Sequence, residues 1–278
     1  MHTVDPVVLL TARTFQELHD RLPGLDVNVP PYPAERGDTP EIYSIVRLLG
    51  TIPLRLEDFP LVLSKTESPD FALQLGGRSI GVEHIEAVPE NAVHEAKLRA
   101  AQGSRGMYFV RPATAGEPRK SRKELQKEID EDWMPPAMAG DSVERNWADA
   151  MVHSITKKCA IARKPGYKAH DQQWLLIYDN WPSLALERQH ALELLQERLP
   201  VVDPFAIFAR IFILTGATLM ELSCDGLQLH QLRQYPSAPL REASRIRLAV
   251  SPGGRCSALR SRHRRGRSRD LVMQVADA

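Results

Sequence analysis

Asp70 and Glu83 are the two residues whose types and setting most readily suggest chemistry. They flank the stretch Asp70-Phe71-Ala72-Leu73-Gln74-Leu75-Gly76-Gly77-Arg78-Ser79-Ile80-Gly81-Val82-Glu83. Phe71, Leu73 and Leu75 alternate with smaller or polar residues, and Ile80 and Val82 alternate with Gly81 and Glu83, so the stretch reads as two strands around a Gly-Gly turn. Folding it into a hairpin brings Asp70, at the start of one strand, beside Glu83, near the end of the other. Two carboxylates gathered there repel each other and lose hydration together, which is costly unless a cation joins them. Hard oxygen donors of this kind suit magnesium or manganese.

Pro69-Asp70, the apolar strand after it, and the Gly81-Val82 lead into Glu83 resemble the PD-(D/E)xK nuclease superfamily, which has the restriction-endonuclease-like fold. The resemblance implies an α/β protein with a mixed central sheet flanked by helices, in the order α-β-β-β-α-β. It also implies Mg2+ or Mn2+ as cofactor, nucleic acid as partner (DNA rather than RNA), and hydrolysis of phosphodiester bonds. A homodimer is compatible with it. The family lysine belongs two positions after the second acid, but Ile85 stands there. On a strand Ile85 shares the face of Glu83, whereas His84 points to the other one.

The missing ammonium must then come from elsewhere, and Lys158 is the candidate. Trp147, Met151, Ile155 and Cys159 recur every four residues through a helix expected over Asp141 to about Lys164. Lys158 falls about 60° from Ile155 around that helix, at the border of the buried stripe, while Lys157 falls about 160° away, toward solvent. Some members of the superfamily carry the lysine on this helix. The passage from Lys157-Lys158 through Pro165-Gly166 to the apolar run Trp174–Tyr178 also resembles small bacterial members. Glu41 is a further metal candidate by the same resemblance, on a helix ahead of the sheet. Read by itself it is more readily a first-turn acid favoured by the helix dipole. The Gly81 and Val82 backbone could add a carbonyl ligand.

These catalytic (Asp70, Glu83, Lys158) and metal (Asp70, Glu83, Glu41) assignments have a rival. With Ile85 in the lysine slot, the chain could instead be a catalytically inactive nuclease-fold protein, serving as a nucleic-acid-binding or protein-interaction module. Other chemistries have less behind them: the chain contains no GxxxxGK[ST], GxSxG or HExxH.

The elements that must position these groups follow from punctuation along the chain. Residues 1–38 read as an N-terminal extension with a short helix from Phe15 to about Arg21, opened by Thr14 and ended by Pro23-Gly24. Residues 39–240 read as the nuclease-like domain. Within it, Pro40 opens a helix that Gly50 ends, and the Leu54–Lys65 stretch holds a strand with Leu61 and Leu63 inward. Helices are expected over Pro89 to Ala101 and Ser183 to Leu199, with further strands in Ala209–Leu214 and Thr218–Leu222. A basic helical insertion near 103–140 includes a short helix that Ser121 could cap.

Composition narrows the class. Of 278 residues 43% are apolar and 26% charged, as in ordinary globular proteins. Three scattered cysteines, Cys159, Cys224 and Cys256, form no CxxC, which argues for a reducing compartment and a cytoplasmic location. No run is apolar enough for a membrane span. The net charge of +1 divides into about −6 over the first 240 residues and +7 over 241–278. That last stretch is Arg-rich and poor in large apolar residues, and reads as a basic, disordered tail.

Overall fold

The computed structural model describes residues 6–30, 36–103, 111–131, 140–183 and 185–233. The Arg-rich 241–278 segment lies outside the described residues, as do parts of the 103–140 insertion.

Alternating small runs of β-branched and aliphatic residues build one mixed sheet of eight strands, ordered β1 to β8 as in the chain. The strands are β1 (Val7–Ala12), β2 (Leu61–Lys65), β3 (Phe71–Leu75), β4 (Arg78–Ala87), β5 (Gln172–Asp179), β6 (Arg210–Thr215), β7 (Thr218–Ser223) and β8 (Gly226–Gln231). β1 to β4 form an antiparallel meander, as do β6 to β8. The two meanders are joined by parallel pairs, β4 with β5 and β5 with β6. Parallel neighbours need long crossovers, and helices supply them. α3 (Glu90–Ala101), α4 (Arg122–Asp130) and α5 (Ser142–Ala162) lie between β4 and β5, and α6 (Arg188–Val202) lies between β5 and β6.

Strand alternation sorts the core into two layers. Val82, Trp174, Leu176, Phe212 and Leu214 pack with α1 (Phe15–Leu25) and α2 (Thr39–Thr51). Their odd-numbered neighbours Leu175, Ile177, Ile211 and Ile213 pack with α5 and α6 on the other face. The expected inward set on α5 is fully buried: Trp147, Met151, Ile155 and Cys159. The chain is therefore α/β, with a mixed sheet flanked by helices, and the order from α2 through β2, β3 and β4 to the crossover helices and β5 is as read from the sequence. Among the described residues no helix is long and apolar enough to cross a membrane.

The stretch before residue 39 does more than extend the chain. β1 pairs antiparallel with β2, and Leu10, Ala12, Leu18 and Leu22 join the core. α1 also runs past Pro23-Gly24 to Leu25, because Asp26 N–H still reaches Leu22 O at 3.1 Å. Proline removes one donor within this last turn without preventing the next bond from closing.

The β3–β4 hairpin is pinned by its turn. Leu75 pairs with Arg78, and both intervening glycines have positive φ, 55° at Gly76 and 89° at Gly77. A two-residue turn with both centres positive matches the strand twist. At Gly76 a Cβ would lie 1.8 Å from Glu57 O, so no larger residue fits.

Candidate metal centre

The ladder between β3 and β4 ends at Phe71 opposite Val82. Just beyond, the Asp70 main-chain oxygen is occupied by Thr66 N–H at 3.1 Å. Its side chain takes over as acceptor on β4: His84 N–H donates to Asp70 Oδ2 at 2.7 Å. The carboxylate thus continues the ladder for one more bond, which fixes where it sits. Glu83 projects from the adjacent position to the α5 face.

From α5, Lys158 reaches both acids. Its Nζ donates to Asp70 Oδ2 at 3.1 Å and to Glu83 Oε2 at 2.5 Å. All three side chains are largely covered, with 21% of Asp70, 4% of Glu83 and 12% of Lys158 exposed. Burial by itself lowers the pKa of the Lys158 ammonium, but Asp70 and Glu83 together outweigh it and hold the group above its ordinary value. Lys158 therefore keeps its proton at neutral pH.

Tyr167 completes the set. Its hydroxyl donates to Glu83 Oε1 at 2.8 Å, so each Glu83 oxygen has one donor. Burial and the bond to Glu83 raise the phenol pKa well above its usual range. No spacing or periodicity marks Tyr167 in the sequence; it follows the Pro165-Gly166 stop that ends α5, and chain geometry alone brings it in.

Gly81 shows how closely this corner is built. A Cβ there would lie 2.2 Å from Gln173 Oε1, 2.9 Å from His170 Cδ2 and 2.9 Å from Pro69 Cγ. Pro69 can approach β4, and so place Asp70, because residue 81 has no side chain.

Two expectations are corrected. Glu41 is not brought to the acids: it pairs with Lys65, whose ammonium sits 4.6 Å above the Phe71 ring centre. The cause is parity. α2 covers the face toward which His84 points, as Ser44 Oγ at 3.2 Å from His84 Nε2 shows, whereas Glu83 points the opposite way. Gly81 and Val82 are also poorly placed as carbonyl donors, since both lie inside the paired register of β3 and β4. Among the described residues no three His, Cys, Asp or Glu side chains gather as a metal-binding group.

His84 is the buried counterpart of Glu83. Burial pushes its pKa down to about 3, with Lys158 and Lys65 acting in the same direction and Asp70 opposing them. Ser44 donates its own hydroxyl to Pro40 O at 2.6 Å, so Ser44 Oγ accepts from a neutral imidazole protonated at Nε2.

The short helix that Ser121 caps in the basic insertion carries ion pairs at the surface. Ser121 and Glu124 form a reciprocal cap, Lys120 pairs with Glu128 at 2.8 Å and Lys127 approaches Glu131 at 3.9 Å.

No family model, curated protein or solved structure matches the chain.

The arrangement itself has defined chemical capacities. Asp70 places both its bonds on Oδ2, and Mg2+ takes oxygen donors at about 2.0–2.1 Å while retaining several waters, so two carboxylates are a sufficient protein share. A divalent ion fits this donor set by chemistry and by count. It would compete with the Lys158 ammonium for the same oxygens.

Proposed function

We propose that the chain is a metal-dependent nuclease, hydrolysing phosphodiester bonds of DNA on a restriction-endonuclease-like core. The observation that carries this reading is the Lys158 ammonium within hydrogen-bond reach of both Asp70 and Glu83. Three groups from distant parts of the chain meet in the combination that phosphodiester hydrolysis requires: acids to hold a cation, and a second cation to stabilise charge at phosphorus. DNA is preferred to RNA on the sequence resemblance alone. A cytoplasmic setting accords with Cys159 and Cys224, which are unpaired.

In this reading Asp70 and Glu83 would hold Mg2+ or Mn2+, with the His84 carbonyl as a third oxygen. A strand residue turns its N–H and C=O to the same neighbour, and His84 N–H already faces Asp70 past the end of β3. The bound ion would lower the pKa of a water and neutralise charge on the phosphoryl oxygens. Lys158, held protonated, donates to a non-bridging phosphate oxygen instead of accepting a proton. Tyr167 fixes the rotamer of Glu83 by its hydrogen bond.

A second reading draws on the same ion pairs. The ammonium already satisfies both carboxylates, so a silent protein of this fold would be stable without any metal. Calorimetric titration with Mn2+ and a plasmid-cleavage assay separate the two. The nuclease reading expects saturable metal binding and metal-dependent cleavage, with Asp70→Ala and Glu83→Ala each lowering the rate by at least about 100-fold. Cleavage that persists in both variants would remove this site from consideration. Absence of both metal binding and cleavage in the wild type would leave the silent reading.

A further inference from the structure

A cleft of about 500 Å³ opens beside the acids, between β4, α5, the start of α3 and the 114–117 loop. Ile85 lines it, two residues past Glu83 on the same face of β4, a step of roughly 6–7 Å. Ser154 lines it as well, four residues before Lys158, a rise of about 6 Å along α5. The cleft therefore lies one residue pair further along both elements that carry the proposed site.

Its lining is suited to a flat, neutral group. Ile85, Val88, Pro89 and Trp181 give it apolar walls, and Ser154 and Thr114 offer hydroxyls. Glu86, Glu90, Glu117 and Lys157 also line it, but Arg36 pairs with Glu86 and Lys157 with Glu90 at 3.2 Å, so among the described residues the lining offers a phosphate no uncommitted lysine or arginine. Cations collect at the other end instead. Lys158, Arg163, Lys164 and Lys168 follow in one stretch without an acid, and Arg163, Lys164 and Lys168 are exposed. A phosphate would therefore find more positive charge toward that end than in the cleft. The volume falls within the range of about 300–1,000 Å³ usual for small-molecule pockets, and a duplex has no way to fit it.

We infer that this cleft receives one unpaired nucleobase with its sugar, from the strand whose phosphate is held at Asp70, Glu83 and Lys158; the inference rests on the nuclease reading of that site. A base stacked and paired in a duplex must first be extruded to enter such a cleft. The substrate class is accordingly single-stranded DNA or an unpaired terminus, with Trp181 as the aromatic wall.

Two measurements on the full chain test this. The first needs no catalysis: deoxyadenosine, which carries no phosphate, is titrated by calorimetry beside 2-deoxyribose. Deoxyadenosine is expected to bind and deoxyribose not. Trp181→Ala should weaken binding about 5- to 150-fold, as loss of a base-stacking ring does, and Trp181→Phe should restore most of it. Because Trp181 Nε1 also donates to Asn146 Oδ1 at 2.5 Å, the alanine variant could fail to fold. Thr114→Trp, at an exposed position on the cleft wall, then serves as a filling variant and should abolish binding. Equal binding by all variants, or no saturable binding by the wild type, overturns the inference. The second measurement compares Mg2+-dependent cleavage of single-stranded, duplex and abasic oligonucleotides. Cleavage that ignores both strandedness and the abasic position overturns the cleft while leaving the nuclease reading intact. Nucleoside binding without cleavage of any DNA supports the cleft and overturns the nuclease reading.

Discussion

The two faces of β4 resolve the same physical problem in opposite ways. Glu83 and His84 are neighbours, each more than nine-tenths buried, and each is titratable. On the α5 face Glu83 shares its charge with Lys158 and takes a second bond from Tyr167. On the α2 face His84 avoids charge, bonded through Nε2 to a serine hydroxyl. Burial favours neutral groups, so the neutral solution is the ordinary one. A buried ionic cluster is weak evidence for stability, since an apolar set of the same shape often does as well. Its presence beside the hairpin end, where Asp70 also converges, is what the proposed nuclease site rests on.

The two faces differ most at Lys158. Lys158→Met leaves Glu83 covered and short of one partner, a change that typically costs about 3–5 kcal/mol. Thermal melts should show that loss, and Mg2+ or Mn2+ should restore more stability to this variant than to the wild type, because the competing ammonium is gone. Equal stabilisation of both proteins by metal would count against a shared set of oxygens.

On the other face the expected effect is a slope with pH. The folded-state pKa of His84 lies near 3, below the ordinary 6.5, so the unfolded chain binds the proton more readily. The contribution is complete above pH 6.5 and declines as pH falls toward 3, by on the order of 1 kcal/mol per pH unit. Denaturant titrations between pH 7 and 4 should record this decline, and His84→Gln should flatten it.

Ser44→Ala is a milder perturbation of the same face. Removing the hydroxyl that faces His84 Nε2 should lower stability by about 1 kcal/mol while leaving DNA cleavage within about twofold. A large loss of cleavage would mean that the α2 face also serves the chemistry. The smallest effect belongs to Glu41→Gln. Its partner Lys65 is part-exposed, so the stability change should stay below about 1 kcal/mol, with the Mg2+ dependence of cleavage unaltered.

What could be read in the sequence, and what could not, follows from how local each signal is. The β3–β4 hairpin is legible because Gly76-Gly77 answers a turn that needs positive φ, and because Phe71, Leu73 and Leu75 keep strict alternation. Lys158 is legible at longer range, since the helix period alone places it beside the buried stripe of α5. Glu41 is the first-turn acid of α2 that its position suggests, and helical position does not tell which face of the sheet a helix covers, so whether it reaches the acids is not legible. Tyr167 gives no signal, as its role depends on how the loop after α5 returns toward β4. β8 carries a weak signal for a different reason. Leu227 and Leu229 do alternate with polar residues, but the strand is an edge with Leu229 57% exposed, and little burial reinforces the pattern. β1 likewise lacks the turn residues that normally frame a strand.

The proposed site has an ammonium from α5 serving the acids at the end of the β3–β4 hairpin. Its most direct test is the rate of Mg2+-dependent DNA cleavage by the wild type and by Lys158→Ala, with the variant's fold checked by circular dichroism at the assay temperature. Cleavage by the wild type is expected, with a loss of roughly 100- to 1,000-fold in the folded variant. A folded Lys158→Ala protein that cleaves DNA at the wild-type rate would contradict it.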